Sequence, residues 1–395
     1  MMVNVNNNFN QIGNIQNIEP NSRIKIGIGK PISLDTHEYT LLAKDMFVSV
    51  LSKDTKKTDK SILEKMHIVK RLEIQVYSTY GTEDEVKVRG RVLENKELKP
   101  VKSTDSKFRN FVRNFKLFES DEEKNVSVNI NLNGKTIKTK TDKEGFFEVK
   151  TKDFGHLPLG LNTVQVTLSG EQKKFIANPA IGKISIQPKE DRTFGIVSDI
   201  DDTIQKTEVT DKENMLNNIL FKNAQTQKKI PGMAELFQAL DKANDGKLDG
   251  DVTYVSGSPV NLSPRIEGFL QYNNFPEGTL ELKNLGVEPG SDPLTKQIEY
   301  KLGRIRKLFD TYPDKKFILF GDSGEKDPEV YRQLSKEYPG RIISVYINNV
   351  TNDDKTASRY EGMLLTNNTS EAAADLFEKG MISSQDLQTV QKTVK

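Results

Sequence analysis

Between residues 72 and 187, apolar and polar residues alternate in short runs that turn-forming residues separate. A period of two is typical of half-buried strands, because successive side chains point to opposite faces of a sheet. The dipeptide Asn133-Gly134 between two of the runs indicates a tight hairpin. The pattern predicts an antiparallel β-sandwich domain over 69–188, with strands in EIQVYS, EVKVRGRVL, NVSVNINL, TIKTKTD, GFFEVKT, TVQVTL, KKFIA and GKISIQP.

The pattern changes after a polar linker, PKEDR, at 188–192. From there, short apolar runs alternate with segments whose apolar residues recur at helical spacing. This alternation predicts an α/β domain over 193–360, with a parallel sheet covered by helices on both faces. Strands are expected in FGIVSDI, DVTYVSGS, FILFGDSG and RIISVYIN, and helices in MAELFQALDKA, KQIEYKLGRIRKLFDTY, PEVYRQLSKEY and from about Pro264.

Both ends of the chain lie outside these two patterns. Residues 1–22 are rich in asparagine, which favours disorder, and 23–68 contain only short apolar groups that define no role. Near the other end, in 361–395, the run SEAAADLFEKG predicts an N-capped helix that Gly380 ends, and the final residues are expected to be frayed.

Composition limits the classes of function. The 58 basic and 56 acidic residues nearly cancel, which argues against a general nucleic-acid-coating protein. The absence of cysteine excludes a disulfide framework, a thiolate nucleophile and a zinc-thiolate site. No apolar run approaches the roughly 18 residues of a membrane-spanning helix, and the N-terminus lacks the basic start and apolar core of a signal peptide. We expect a cytoplasmic location, with peripheral membrane contact or unconventional export also compatible with the sequence.

The stretch FGIVSDIDDTIQKT, 194–207, carries candidate chemistry. Its apolar run predicts a buried parallel strand, and ligands of such sheets bind beyond the carboxyl ends of the strands. Asp199 and Asp201 follow that end. Two carboxylates in different environments can divide the work, one ionised as a nucleophile or metal ligand and the other transferring a proton. The alternative is an acidic turn that only solvates a loop.

Two further segments supply a hydroxyl group and a cation. DVTYVSGSP predicts a strand that ends around Ser256, where a hydroxyl and backbone N–H groups suit a phosphate oxygen. The segment YKLGRIRKLF predicts a helix with Lys301 near its start, and Lys296 is the second choice for the cation. An ordinary strand-ending turn and a solvated helix lysine are the structural alternatives.

A second acidic strand end follows in FILFGDSGEKDPEVY. Its apolar run predicts a strand ending in Asp322, with Glu325 and Asp327 close behind. Oxygen ligands without histidine or cysteine select a hard ion, so we expect Mg²⁺ rather than zinc. A helix N-terminus rich in acidic residues is the alternative interpretation.

The order of these motifs is similar to that of haloacid-dehalogenase (HAD) superfamily phosphatases, which have DxDx[TV], then Ser or Thr, then Lys, then an acidic GDxxxxD-type motif. Within that superfamily the chain resembles the actin-patch-type phosphatidate phosphatase catalytic domain. The resemblance covers about 190–350 and rests on SDIDDTI, NxxxxNAxTxxxxPGM, YVSxSP, FILFGDSGEKDPEVY and RIISVYI. It implies a HAD-like Rossmannoid sheet. The preceding segment resembles transthyretin-like modules that bind or position a partner.

The resemblance also implies roles for individual residues. Asp199 would be the nucleophile that forms an aspartyl-phosphate, and Asp201 the general acid and base. Ser256 and Lys301 would hold the phosphoryl oxygens. Mg²⁺ would be bound by Asp199, the backbone carbonyl of Asp201 and Asp322, with Asp327 or Glu325 nearby.

Three positions depart from the family pattern. Val260 stands where relatives commonly have an aromatic residue, Lys283 lies in a segment that is commonly richer in Arg and Asp, and Asn348 takes the place of an arginine. These departures concern substrate contacts rather than the chemical core. The insert at about 204–230 is too short for a large cap domain, so we expect either a small cap over an open site or a segment that packs on the sheet.

The sequence thus favours a Mg²⁺-dependent phosphatase that hydrolyses phosphatidate to diacylglycerol at a membrane surface. A first alternative keeps the chemistry but acts on a soluble phosphate ester or a phosphoprotein, since no strongly basic amphipathic stretch indicates lipid binding. A second is a non-catalytic binding protein in which the sandwich carries the function. Retention of Asp199, Asp201, Lys301 and Asp322 argues against it.

Overall fold

The computed structural model describes residues 70–95, 98, 100–118, 122–170, 175–188, 193–207, 222–245, 250–284 and 297–394. The expectations for 1–68, for most of the insert at 204–230 and for Lys296 lie outside these residues. Among the helices of the described ranges, none has the length and apolar character needed to cross a membrane.

A mostly antiparallel sheet occupies the first half of the described chain. Its strands are β1 (Lys70–Tyr77), β2 (Thr79–Gly81), β3 (Val86–Glu94), β4 (Ser127–Leu132), β5 (Lys135–Lys140), β6 (Phe146–Thr151), β7 (Gly160–Leu168), β8 (Phe175–Ile176) and β9 (Ala180–Ile186). They follow the order β5-β4-β7-β9-β2-β3-β1-β8, with β6 paired to β3. The pairs β1–β8 and β2–β9 are parallel. The strand positions agree with the pattern, and the two-sheet sandwich stays a prediction.

Alternating side chains of this sheet fill one hydrophobic core. On β4, for example, Val128, Ile130 and Leu132 are buried, while the residues between them are partly exposed. The hairpin predicted between β4 and β5 is present, with φ of 52° at Asn133 and 70° at Gly134. Positive φ at both central residues is what a type I′ hairpin turn requires.

One helix, α1 (Lys107–Phe118), lies between β3 and β4, where the sequence pattern predicts no helix. Its buried side chains include Asn110, Arg113 and Asn114. Because the inward face of α1 is polar, the apolar periodicity on which helix prediction depends does not mark the side that packs on the protein.

A second, parallel sheet carries the candidate site. Its strands are β10 (Phe194–Ser198), β11 (Val252–Pro259), β12 (Gly278–Lys283), β13 (Lys316–Asp322), β14 (Ile342–Asn348) and β15 (Leu364–Thr366). They follow the order β12-β11-β10-β13-β14-β15, and every neighbouring pair is parallel. From β10, the chain therefore adds β11 and β12 on one side and then β13, β14 and β15 on the other. Such a switch in strand order opens a crevice at the carboxyl ends of β10 and β13.

Helices cover both faces of the parallel sheet, as the sequence predicts for an α/β protein. Ile196 and Ile318 pack into the core of one face, while Val197 and Leu319 pack into the core of the other. The helices of this half are α2 (Met233–Asp245), α3 (Ser263–Tyr272), α4 (Gln297–Thr311), α5 (Asp327–Glu337), α6 (Thr369–Glu378) and α7 (Ser384–Val394). Residues of α2, α3, α6 and α7 line the first core, and residues of α4 and α5 line the second.

The two helices nearest the C-terminus differ in how well the sequence predicts them. The N-cap of α6 is Asn368, whose side chain accepts a hydrogen bond from the Ser370 amide, and Gly380 follows the helix with φ of 70°. The final residues, which we expected to be frayed, instead form α7, and Val390 is buried in the core that α2 lines.

A buried lysine joins the two halves. The Nζ atom of Lys315 donates to Gln187 Oε1 at 2.5 Å and to Thr193 Oγ1 at 3.1 Å, and it pairs with Asp251 Oδ1 at 2.8 Å. Gln187 follows β9 and Thr193 precedes β10, so one amine holds both ends of the connection between the sheets.

We expect Lys315→Ala to lower the free energy of unfolding by about 3 kcal/mol, because removing one partner of a buried pair leaves the other charge uncompensated. The matched control is Lys316→Ala, which removes the next lysine along the chain, an exposed one, and should cost less than about 0.5 kcal/mol. Equilibrium unfolding in urea measures both. Equal effects of the two substitutions would contradict a structural role for Lys315.

Candidate active site

Two aspartates at the carboxyl ends of the central strands begin the site. Asp199 directly follows β10, and Asp322 is the last residue of β13. The amide of Asp199 donates to the carbonyl of Phe320 at 2.9 Å, so the strand ends are held side by side. Both carboxyl side chains are buried.

Lys301 brings the acidic segments together. Its side chain extends from α4, is 1% exposed, and contacts three carboxylates: Asp199 Oδ1 at 2.7 Å, Glu325 Oε2 at 2.9 Å and Asp327 Oδ1 at 2.5 Å. Gln297, four residues earlier in the helix, donates from its side-chain amide to the same Glu325 oxygen. Residues four apart share a helix face, so its spacing from Lys301 could have indicated Gln297 from the sequence.

Burial and mutual repulsion shift the pKa values of this group. Desolvation raises the pKa of Asp199 well above its usual value; Lys301 opposes the shift, and the neighbouring carboxylates add to it. Burial also raises the pKa of Asp322 to about 9. Burial alone would lower the pKa of Lys301, but the negative charges of Asp199, Asp327 and Glu325 raise it well above the ordinary value.

The geometry fits a metal ion. One carboxylate oxygen from each of Asp199, Asp322, Glu325 and Asp327 lies within 4.8 Å of the others. Within the described chain, Asp199 Oδ2 and Asp322 Oδ2 are buried without a hydrogen-bond partner. Buried polar atoms are normally satisfied, and one ammonium cannot balance four carboxylates. An oxygen-only set of this kind suits a hard divalent cation.

Asp327 approaches the sheet closely because position 321 is glycine. Its Oδ2 atom accepts a hydrogen bond from the amide of Asp322 at 3.2 Å, while its Oδ1 binds Lys301. A Cβ atom at Gly321 would lie 2.5 Å from the Asp327 Cβ. The glycine in the GDSG run therefore leaves space for this carboxylate.

The loop after Asp322 is fixed from two directions. Asp322 Oδ1 accepts hydrogen bonds from the amides of Gly324 and Glu325 at 2.7 and 2.9 Å. Arg359 spans the outside of the loop, donating to the carbonyls of Ser323 and Glu325, each at 2.6 Å. The sequence analysis does not identify Arg359, because nothing in the motif spacing links it to a loop 34 residues away.

Asp201 belongs to a neighbouring cluster. Its Oδ2 accepts hydrogen bonds from Ser256 Oγ at 3.1 Å and from Ser258 Oγ at 3.2 Å, and its Oδ1 accepts one from Gln205 Nε2 at 2.8 Å. The Asp201 carboxylate thus has its own set of hydrogen bonds and is less buried than Asp199, Asp322 and Asp327. Gln205 is a residue that the sequence analysis misses.

A second cation lies near this cluster. Burial lowers the pKa of Arg265 to about 10, and the charge of Asp201 opposes the decrease. The guanidinium donates to Gln227 Oε1 at 3.4 Å. The sequence analysis does not single out Arg265, which follows the predicted helix start at Pro264.

The three positions that depart from the family pattern have structural contacts. Asn348 donates to the carbonyl of Asp202 at 2.7 Å, and Asp202 has a left-handed φ of 53° in the loop that carries Asp201. Lys283 lies with its Nζ 5.4 Å from the ring centre of Tyr300, and Val260 is buried in the core.

The structure therefore brings together Asp199, Lys301, Asp322, Glu325 and Asp327, and it places Asp201 with Ser256 in the adjacent polar cluster. The roles assigned to these residues stay predictions. Together the parallel sheet and the acidic group at its strand ends define an α/β protein with a group of carboxylates that could hold a divalent cation.

Comparison with known proteins finds a similarity over the parallel-sheet half of the chain. Residues 194–349 match the family model described as phosphatidate phosphatase APP1, catalytic domain. Phosphatidate phosphatase APP1 of Saccharomyces cerevisiae is 34% identical over 155 residues, which cover 39% of this chain and 25% of that protein. An uncharacterized protein of Schizosaccharomyces pombe is 28% identical over 167 residues, covering 40% and 26%. Residues 194–349 are therefore similar to the APP1 catalytic domain, as the motifs predict.

The matches have limited extent. The chain spans about a quarter of the length of these curated relatives. Among solved structures, a carbohydrate acetylesterase from Xanthomonas citri aligns over 80% of this chain and 71% of its own with 10% identity, but the TM-score is 0.25. A bacterial ice-binding adhesin aligns over 33% and 38% with 16% identity and a TM-score of 0.18. Similarity at this level supports no conclusion about fold or function.

We expect Gly321→Ala to lower the free energy of unfolding by about 1–3 kcal/mol, because the added methyl group meets Asp327 and forces one of the two to move. Gly303→Ala is the control: its methyl group would have nothing within 4 Å, and in a helix the change should be neutral or stabilising by about 0.5–1 kcal/mol. If urea unfolding finds Gly321→Ala as stable as the unmodified chain, the close approach does not constrain this position.

Proposed function

We propose that the chain is a Mg²⁺-dependent phosphatase with a HAD-like Rossmannoid domain, which works through an aspartyl-phosphate intermediate. The observation that carries the proposal is the contact of Lys301 with Asp199, Glu325 and Asp327, beside the unpartnered oxygens of Asp199 and Asp322. A dianionic phosphate cannot approach these carboxylates unless positive charge lies between them.

In the first half-reaction, a carboxylate oxygen of Asp199 attacks phosphorus, and the bond from phosphorus to the leaving oxygen breaks. Asp201 donates a proton to that oxygen, so that the alcohol leaves neutral. In the second half-reaction, Asp201 removes a proton from water, the water oxygen attacks phosphorus, and the bond to Asp199 breaks. Phosphate leaves, and both carboxyl groups return to their starting states.

The environments of the two aspartates support this division. Lys301 donates to Asp199 Oδ1 and so fixes the orientation of the carboxylate that attacks phosphorus. Asp201 is held by the hydroxyls of Ser256 and Ser258, which can follow a change in its protonation by rotating their O–H bonds. Lys301 would stabilise negative charge that develops on the phosphoryl oxygens, and Ser256 would donate to one of them once its O–H bond rotates away from Asp201.

Mg²⁺ would be held by Asp199 and Asp322, with the backbone carbonyl of Asp201 and with Asp327 or Glu325 nearby. When bound, it neutralises phosphoryl charge and polarises the phosphorus–oxygen bond. Asp322 is the ligand best supported by the geometry, because one of its oxygens orients the loop amides while the other has no partner.

Phosphatidate is the proposed substrate, with diacylglycerol and phosphate as products. Support comes from the family of the domain and from the relative that is named a phosphatidate phosphatase. Residues at the strand ends account for the proposed phosphoryl transfer, whereas contacts around the site determine which phosphate ester binds.

We predict Mg²⁺-dependent phosphate release from phosphatidate in mixed micelles, and a decrease of kcat by about a thousandfold or more in Asp199→Asn. Asp153→Asn, which makes the same substitution at an exposed position outside the site, should retain full activity. A soluble phosphate ester is assayed in parallel. Release from the soluble ester alone would keep the mechanism and reject the lipid substrate, and release unaffected by Asp199→Asn would reject the mechanism.

Metal binding can be tested without turnover. At a concentration one hundred times its Kd, a bound ion stabilises the folded state by about 2.7 kcal/mol, so Mg²⁺ should raise the Tm of the unmodified chain. Asp322→Asn should abolish most of this shift, yet be at least as stable without metal, because it removes a carboxyl group whose raised pKa makes its ionisation costly in the folded state. Asp153→Asn should respond like the unmodified chain. An undiminished Mg²⁺ shift in Asp322→Asn would contradict the proposed ligand set.

A further inference from the structure

Helix α1 packs on the protein through polar side chains and leaves apolar side chains facing outward. It buries Asn110, Arg113 and Asn114, whereas Phe108 is 43% exposed and Val112 is half-buried. Phe108 and Val112 lie about 40° apart around the helix axis, so they share one outward face. A surface helix normally turns its apolar side to the core, and an apolar face left outward indicates a binding surface.

The charge of α1 is uniform in sign. Its sequence, KFRNFVRNFKLF, contains four basic residues and no acidic one. Lys107 and Lys116 are exposed and form no ion pair within the residues that the structure describes, while Arg109 and Arg113 pair with Asp105 at 2.9 and 3.0 Å. Lys116 lies about 40° from Val112 around the helix axis, and Lys107 lies at the exposed start of the helix. Free positive charge therefore flanks the apolar side chains of the outward face, and an anionic partner would complement it.

Polar contacts fix α1 to the catalytic half of the molecule. Asn114 donates to the carbonyl of Lys222 at 2.9 Å, and Asn223 donates to Asn110 Oδ1 at 2.9 Å. Asn261 donates to the carbonyl of Leu117 at 3.0 Å. These contacts explain why the polar face of the helix is the buried one.

The segment that α1 contacts also pairs with the loop of Asp201. Gln227 donates to the carbonyl of Lys206 at 2.7 Å, and the amide of Lys206 donates to the carbonyl of Lys228 at 2.8 Å. Hydrogen bonds thus connect α1 to the loop that carries the proposed general acid.

We propose that α1 docks the protein on an anionic lipid surface, with Phe108 and Val112 entering the interface and Lys107 and Lys116 contacting lipid headgroups. Helices with an apolar face flanked by lysine bind in this manner, by apolar burial together with attraction to anionic lipid. The inference rests on the proposed function, because a membrane-borne phosphate ester is the substrate that such docking would serve.

The first test is co-sedimentation of the full chain with vesicles of phosphatidylcholine and phosphatidylserine, which contain no substrate. The double variant Phe108→Ser with Lys116→Glu should bind at least about tenfold more weakly than the unmodified chain, since it loses buried apolar area and reverses a charge. The control is Phe377→Ser with Lys392→Glu, which removes a similarly exposed phenylalanine (40%) and makes the same change of charge on other helices. It should bind like the unmodified chain.

A second measurement does not depend on the stability of the double variant. Because the chain has no cysteine, Phe108→Cys introduces a single thiol for an environment-sensitive fluorophore. Its emission should shift to shorter wavelength on anionic vesicles and shift little on vesicles of phosphatidylcholine alone. A label introduced by Phe377→Cys should not respond to either.

Three results would overturn the docking proposal. The first is failure of the unmodified chain to bind anionic vesicles, and the second is equal binding by the two double variants. The third is a fluorophore at position 108 whose emission does not shift on anionic vesicles. Concentration-dependent self-association that the Phe108 variant abolishes, with no vesicle binding, would assign the face to a second copy of the chain instead. Phosphate release from a soluble ester by the unmodified chain is measured separately, so failure of docking is distinguished from failure of the proposed chemistry.

Discussion

The burial of one lysine among carboxylates is the interaction on which the candidate site depends. Lys301 contacts three acidic side chains from two separate segments, and all of these groups except the partly exposed Glu325 are buried. Such an arrangement is costly unless the charges are well paired, and here the acidic groups outnumber the cation. The excess negative charge and the two unpartnered carboxylate oxygens make a divalent cation the natural complement.

The rest of the fold provides the geometry for this group. The change in strand order places the ends of β10 and β13 side by side, and α4 brings the lysine across them. Glycine at 321 admits Asp327, while Arg359 and Asn348 fix the two loops through backbone carbonyls. These supporting residues hold atoms in position without themselves reaching the reacting group, which is how a precise site is maintained on loops.

The sequence predicts those parts of the structure in which local pattern and tertiary burial agree. The parallel strands β10, β11, β13 and β14 are predicted because both of their faces are apolar, whereas β12 and β15 are not predicted. Asp199, Lys301 and Asp322 stand out because each lies near the end of a predicted element. Arg359 and Gln205 act through contacts that only the folded chain creates, so motif spacing gives no signal for them.

Two helices illustrate the limits of sequence patterns. Helix α1 packs through polar side chains such as Asn110 and Asn114, and its apolar side faces outward, which reverses the usual rule. Helix α7 is short and polar, and its position is stabilised by the burial of Val390 against the neighbouring helices. In both cases tertiary contacts outweigh what local sequence indicates.

The most direct test of the central claim is a crystal structure of the chain grown with Mn²⁺, a hard divalent ion whose position anomalous scattering reveals. We predict a single strong anomalous peak bounded by Asp199 Oδ2 and Asp322 Oδ2, with Lys301 still bound to Asp199. A peak elsewhere, or no peak at this group with the carboxylates in place, would contradict a metal centre at these strand ends.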